Sequence, residues 1–217
     1  MIKNQIKKNF FIGIDLGGKE KKTTGICILE DKKIVLLKDV VGKEVIKEIE
    51  PYFRNTQVIA IDAPLTKGRG KGRMRLYEKF LSRGIFRQEK VNPLPPALMP
   101  ELCNFAKELV NKLEKRKFIL NINLIETFPT LVEKICRKNL LLKNDICKTE
   151  NQRSALICAQ VAFFHFQFKT RYLGYKDGFL FLPEMSFWKK YWRERFYQAW
   201  KEKPYLKYYR LVTNLFK

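Results

Sequence analysis

Three apolar runs of this chain end on an acid: FIGID at 11–15, VIAID at 58–62 and INLIE at 122–126. Acids are poor strand formers, and an unpaired carboxylate is costly to bury. Two carboxylates ~4 Å apart repel by about 4 kcal/mol even at an effective dielectric near 20. A fold keeps such a cluster if one acid is protonated, if Arg or Lys neutralises it, or if a divalent cation sits within it. A hard cation such as Mg²⁺ or Mn²⁺ takes carboxylate oxygens and water. Two such ions ~4 Å apart serve phosphodiester displacement. Singly, each acid would cap a loop or pair with a neighbour such as Arg73 or Arg75. Three at the strand ends of one sheet favour a shared site instead. Asp15, Asp62 and Glu126 are therefore the candidate catalytic and metal-binding residues.

Other catalytic chemistries lack their parts. The sole histidine, His165, lies among aromatics in VAFFHFQF and reads as a packing residue. Ser-His-Asp, Cys-His and two-His zinc sites are therefore not expected. Five widely spaced cysteines with no C-x-x-C give neither a disulfide framework nor a zinc knuckle. They read as free thiols in a reducing cytoplasm. No signal-type apolar segment follows the charged start MIKNQIKKN, and no run reaches the length of a membrane helix.

Positioning the acids falls to a β-β-β-α-β order. FFIGIDL, TTGICILE and IVLLKDV read as three strands of an antiparallel meander, with tight polar turns between them. Helical spacing follows over 42–54, ended or kinked by Pro51, and TQVIAIDAPL is a fourth strand. The intervening helix allows a parallel crossover that sets the fourth strand beside the first. Asp15 and Asp62 then share one sheet edge. The spacing predicts a helix over RMRLYEKFLSRG closed by Gly84, a rigid loop over NPLPPALMP and an amphipathic helix over 101–115. FILNINLIET reads as a fifth strand. Helices are expected near 130–142 and over 149–168, the latter with a capping box at Thr149 and Gln152, and GFLFLP as a short strand.

The 217 residues carry 44 Lys and Arg against 22 acids, a formal charge of +22, with 46% hydrophobic residues, enough for a core. A chain this basic points to a polyanion, most often nucleic acid, bound in a salt-sensitive way; a solvated Lys-rich surface is the plainer reading. Segment 64–90 is the most basic stretch, and Lys67, Arg69, Lys71, Arg73 and Arg75 are its candidate phosphate contacts. From 184 onward the chain is basic and aromatic. Its Trp and Tyr residues could stack on bases, but spacings of three and four favour an apolar helix stripe docked on the rest. The chain thus divides into a domain over 1–183 and an extension over 184–217.

The ordered set GID (13–15), IDAPL (61–65), R-x-x-x-x-E (73–78) with RGI (83–85), IETFPT (125–130) and SALICA (154–159) ahead of GFLFLP resembles the domain of unknown function (DUF) 429 family. That family is described as predicted nucleases of the ribonuclease H-like fold. The resemblance covers roughly residues 10–183. It implies an α/β protein with a mixed five-stranded sheet flanked by helices. It also implies Asp15 and Asp62 as metal ligands, Glu126 as a third acid, and Arg73 and Glu78 beside the cleft. One position departs: Ser154 stands where such families tend to carry an acid, and Glu150 or Asp177 are candidate replacements. The implied function is a Mg²⁺- or Mn²⁺-dependent nuclease acting on DNA or RNA. A catalytically weak nucleic-acid-binding protein is the alternative. GIDLGG at 13–18 also resembles the phosphate loop of actin-like small-molecule kinases, a third reading.

Overall fold

A computed structural model describes residues 8–21, 23–68, 74–138, 145–203 and 206–216. Strands β1 (Phe10–Asp15), β2 (Thr24–Glu30) and β3 (Lys33–Val40) form the antiparallel meander. The β2–β3 turn is tight because Asp31 takes a left-handed φ of 52°, which Asp tolerates better than most residues. The helix expected over 42–54 is broken. Only Val45–Ile49 is α-helical (α1), between 3₁₀ turns at Gly42–Glu44 and Glu50–Asn55. Pro51 lacks the N–H that a continuing α-helix would use. The segment still returns the chain so that β4 (Thr56–Asp62) pairs parallel to β1, and β5 (Leu124–Glu126) pairs parallel to β4. The five-stranded mixed sheet has the order β3-β2-β1-β4-β5.

Alternation along the strands feeds two cores. Ile12, Ile14, Ile59 and Ile61 pack with Phe105, Leu109 and Leu113 of α4 (Pro100–Glu114). Phe11, Ala60 and Ile125 pack on the other face with α6 (Glu150–Phe166), which is buried along most of its length. The α6 backbone rests directly on β1 at Gly13. A Cβ there would lie 2.1 Å from the Ala155 carbonyl oxygen and 2.2 Å from the Ala159 nitrogen. Thr149 caps α6, its hydroxyl accepting from the Gln152 N–H at 3.1 Å.

Three other elements are shorter than expected. β5 covers three residues of FILNINLIET, because Lys117 and Asn121 take positive φ (70° and 66°) and turn the chain before Leu124. The 130–142 helix is α5 (Pro129–Ile135), and 139–144 lies outside the described residues. The helix expected to close at Gly84 is α2 (Leu76–Leu81); Gly84, at φ +52°, instead opens α3 (Gly84–Gln88). GFLFLP is β7 (Gly178–Pro183), as expected. It joins two unanticipated strands, β6 (Thr170–Tyr175) and β8 (Val212–Thr213), in a small antiparallel sheet of order β7-β6-β8.

Beyond residue 183, α7 (Lys190–Lys201) carries the aromatic stripe inward. Trp188, Trp192 and Phe196 are buried in the same core as the α6 face of the sheet. His165 is likewise a packing residue: its ring nitrogens meet the Thr170 hydroxyl and the Ile122 carbonyl, and burial lowers its pKa. The cysteines are free, and among the described residues no helix is long and apolar enough to cross a membrane.

Candidate active site

Asp15 and Asp62 are register partners on adjacent parallel strands. Asp15 also pairs with Gly25, and Gly25 with Asp39 of β3. Asp39, Gly25, Asp15 and Asp62 therefore form one row across the sheet, on the face covered by α6. Gly25 lies against the first turn of α6, at the Asn151 carbonyl. Asp39 is tied to that turn as well. It accepts from the Thr149 hydroxyl at 3.0 Å and from the Gln152 side-chain amide at 3.1 Å. Burial, then the charge of Asp39, raises the Asp15 pKa to about 7. Burial, then Asp15 and Glu126, pushes Asp62 well above the usual carboxylate range. Both shifts favour the protonated form, so the pair resists carrying two charges without a cation.

Glu126 is arranged differently. Its register partner is Ile61, one residue before Asp62, so the pleat turns it toward the α4 side of the sheet. There Arg75 grips it with two N–H groups at 2.6 and 2.8 Å, the Tyr77 hydroxyl donates to it, and the Leu65 N–H donates at 2.9 Å. Arg75 is itself buried, although it was expected at a phosphate-binding surface. Its five N–H donors all have partners: Nε and one Nη2 hydrogen go to Glu78, two go to Glu126, and one goes to Thr66. Burial would lower the Arg75 pKa, but Glu126, Tyr77 and Glu78 outweigh it and hold the guanidinium charged. Glu78 also accepts from the Arg75 backbone N–H at 2.7 Å, which fixes the start of α2.

The other expected site residues are dispersed. Glu150 is exposed in the first turn of α6 and pairs with Arg153 at 3.5 Å. Asp177 is buried and accepts from the Leu76 N–H at 3.1 Å, holding the start of α2, while its Oδ1 has no partner. Ser154 is half-buried on α6, one turn before Cys158. The Cys158 thiol is pushed up by burial and by the charges of Asp62 and Asp15, so this part of α6 lies over the acid row. Lys67 is exposed; Arg69, Lys71 and Arg73 lie outside the described residues. Sequence reasoning missed Asp39, although it too stands near the end of an apolar strand, KIVLLKDV.

Asp15, Asp62, Arg75, Tyr77, Glu78 and Glu126 line one cleft of about 220 Å³. Asp15 and Asp62 are the residues that could hold a single hard cation, which binds through one or two carboxylates and keeps several waters. Glu126 does not complete a larger donor set, because both its oxygens are engaged. No group of three His, Cys, Asp or Glu placed to hold an ion occurs among the described residues. Fold and site together define a mixed α/β protein with an aspartate pair at the ends of two central parallel strands. Comparison of the chain with family models, with curated proteins and with solved structures finds no match.

Proposed function

We propose that the protein is a metal-dependent nuclease with a ribonuclease H-like fold, similar to the DUF 429 family, that hydrolyses phosphodiester bonds of DNA or RNA. One observation carries the reading: Asp15 and Asp62 are direct neighbours across β1 and β4, at the edge where strands end and a cleft opens. The strand order β3-β2-β1-β4-β5, with only the last two pairings parallel, supports it, as does the +22 charge. Asp15 and Asp62 would hold Mg²⁺ or Mn²⁺. Such an ion, when bound, neutralises phosphate charge and acidifies a water. Arg75 and Tyr77 hold Glu126 in place, and through it the Leu65 N–H just after the cleft residues Ala63 and Pro64.

Two observations favour the second reading, a nucleic-acid-binding protein of weak activity: Ser154 is not an acid, and Glu126 is already neutralised. The kinase reading loses support at its loop. The Gly17 and Gly18 N–H groups donate to the Thr24 and Thr23 hydroxyls, both at 3.0 Å, rather than standing free for a phosphate.

Thermal unfolding and oligonucleotide cleavage, each with and without millimolar Mn²⁺, test the proposal. Wild type should gain stability with the metal, by about 2.7 kcal/mol at a hundredfold excess over Kd. Asp62→Asn should lose that gain and any cleavage. Ser154→Asp should tighten metal binding. Identical metal responses of wild type and Asp62→Asn would leave the binding-protein reading as the better one.

A further inference from the structure

Among the described residues Arg75 is the only cation lining the cleft beside Asp15 and Asp62, and its N–H donors are all engaged by protein groups. Among the described residues the cleft therefore offers an incoming phosphate no free donor from a cationic side chain. What it offers is apolar. Leu16, Pro64, Leu94, Met99, Leu102 and Phe128 form much of its wall. Leu94 is 57% exposed, and Leu98 on the same segment is 71% exposed. Both belong to the stretch NPLPPALMP, whose prolines fix the backbone so that these side chains are held out without further ordering cost. Of the two, Leu94 lines the cleft with the acidic pair, and an exposed leucine there has no role in gripping a sugar-phosphate backbone.

We infer that this apolar wall receives a nucleobase that has left its stack, so that the substrate is single-stranded or locally unpaired nucleic acid. The inference rests on the nuclease reading and adds the strand form of its substrate. A cavity of about 220 Å³ has room for a base, whereas a duplex presents its bases already paired, with their faces covered by stacking. Enzymes that take up a single base enclose it between aromatic and apolar side chains, and they favour bases that need no unpairing. Phe128 places an aromatic ring in the wall, and base–aromatic stacking does not depend on sequence. Backbone phosphates to either side of the inserted base would meet the basic surface outside the cleft.

The test uses the full chain and oligonucleotides with a central 2-aminopurine, as a single strand, as a duplex, and as a single strand with an abasic position there instead. Binding is followed by the anisotropy of a terminal dye on each oligonucleotide, in wild type and in Asp62→Asn, with 2-aminopurine fluorescence reporting the surroundings of the base where it is present. Cleavage with Mn²⁺ is scored separately in wild type. The single strand should bind about tenfold tighter than either the duplex or the abasic strand. Leu94→Ser should remove most of that preference, and Leu94→Phe should restore it. Equal affinity for all three, unchanged in Leu94→Ser, would overturn the inference whether or not cleavage occurs. Absence of cleavage under every condition would instead count against the nuclease reading, while the binding preference still decides the fate of the base pocket.

Discussion

Asp62 and Glu126 end neighbouring strands, yet they meet opposite electrostatic surroundings. Asp62 faces another carboxylate, Asp15, whereas Glu126 faces the Arg75 guanidinium. Glu126→Gln keeps the shape but breaks a buried ion pair, so it should destabilise by about 3–5 kcal/mol. The Mn²⁺-dependent gain in thermal stability should survive, because Glu126 already has its partners. Loss of the metal response with little loss of stability would make Glu126 a ligand after all. The aspartate pair should also set a pH dependence. Burial raises the Asp15 pKa to about 7 in the fold, from an ordinary value of 3.8, so between those values the folded state holds a proton that the unfolded state has released. Metal-free stability should therefore fall as pH rises from about 4 through about 7. Asp15→Asn should lack this component, which unfolding across pH in the presence of EDTA would reveal. Since a cation must displace the same proton, metal affinity of wild type should rise over that window.

At the scale of elements, the acid pair is placed by α6 and β1 coming into backbone contact. Gly13 makes that possible, and its immediate chain neighbours are Ile12 and Ile14 of the opposite core. Gly13→Ala would drive a methyl group into the Ala155 carbonyl and the Ala159 N–H, neither of which can yield without moving the helix. A loss of about 3 kcal/mol or more is expected from such overpacking, measurable by urea unfolding. Metal affinity should fall with it as the first turn of α6 shifts over the acid row. The sequence made the meander, the parallel crossover and hence the Asp15–Asp62 pairing legible, because each rests on a local pattern. Which face Glu126 takes was not legible. That depends on the β4–β5 register, and a one-residue offset reverses the side. Arg75 is expected from the sequence both as a partner for a strand-end acid and as a phosphate contact, and the first holds, at Glu126; composition marks segment 64–90 as basic but does not say which cation turns inward. The Arg75–Glu78 spacing of one helical turn was the available signal. β8 escaped because it is only two residues long and pairs with β6 at long range, whereas β6 pairs locally with β7 across Lys176-Asp177, a tight turn that the Asp177-Gly178 step signals.

For the whole molecule, the decisive question is whether residues 184–217 are an appendage or part of the fold. Charge alone suggests an appendage, with nine Lys and Arg against three acids in that stretch. Packing argues the reverse. Trp188 is fully buried, and its indole N–H donates to the Pro183 carbonyl at 2.7 Å. Phe196 meets Phe86 and Trp188 with ring centroids 4.6 and 4.7 Å apart. The Tyr208 hydroxyl donates to the Lys79 carbonyl at the end of α2, and β8 extends the small sheet at β6. The tail thus braces α2 and α3 from outside, and α2 carries Tyr77 and Glu78 of the cleft. Removing one such aromatic, as in Trp192→Ala, should cost about 3–5 kcal/mol, a large part of a total near 5–15 kcal/mol. Deleting 184–217 removes several at once and uncovers the α6 face of the core. The shortened chain should therefore show no cooperative thermal transition, whereas Trp192→Ala should unfold cooperatively at a lower temperature. A truncated protein that unfolds as sharply as wild type, with its Mn²⁺ response intact, would show that 1–183 stands alone and that the aromatic stripe is free to serve a partner.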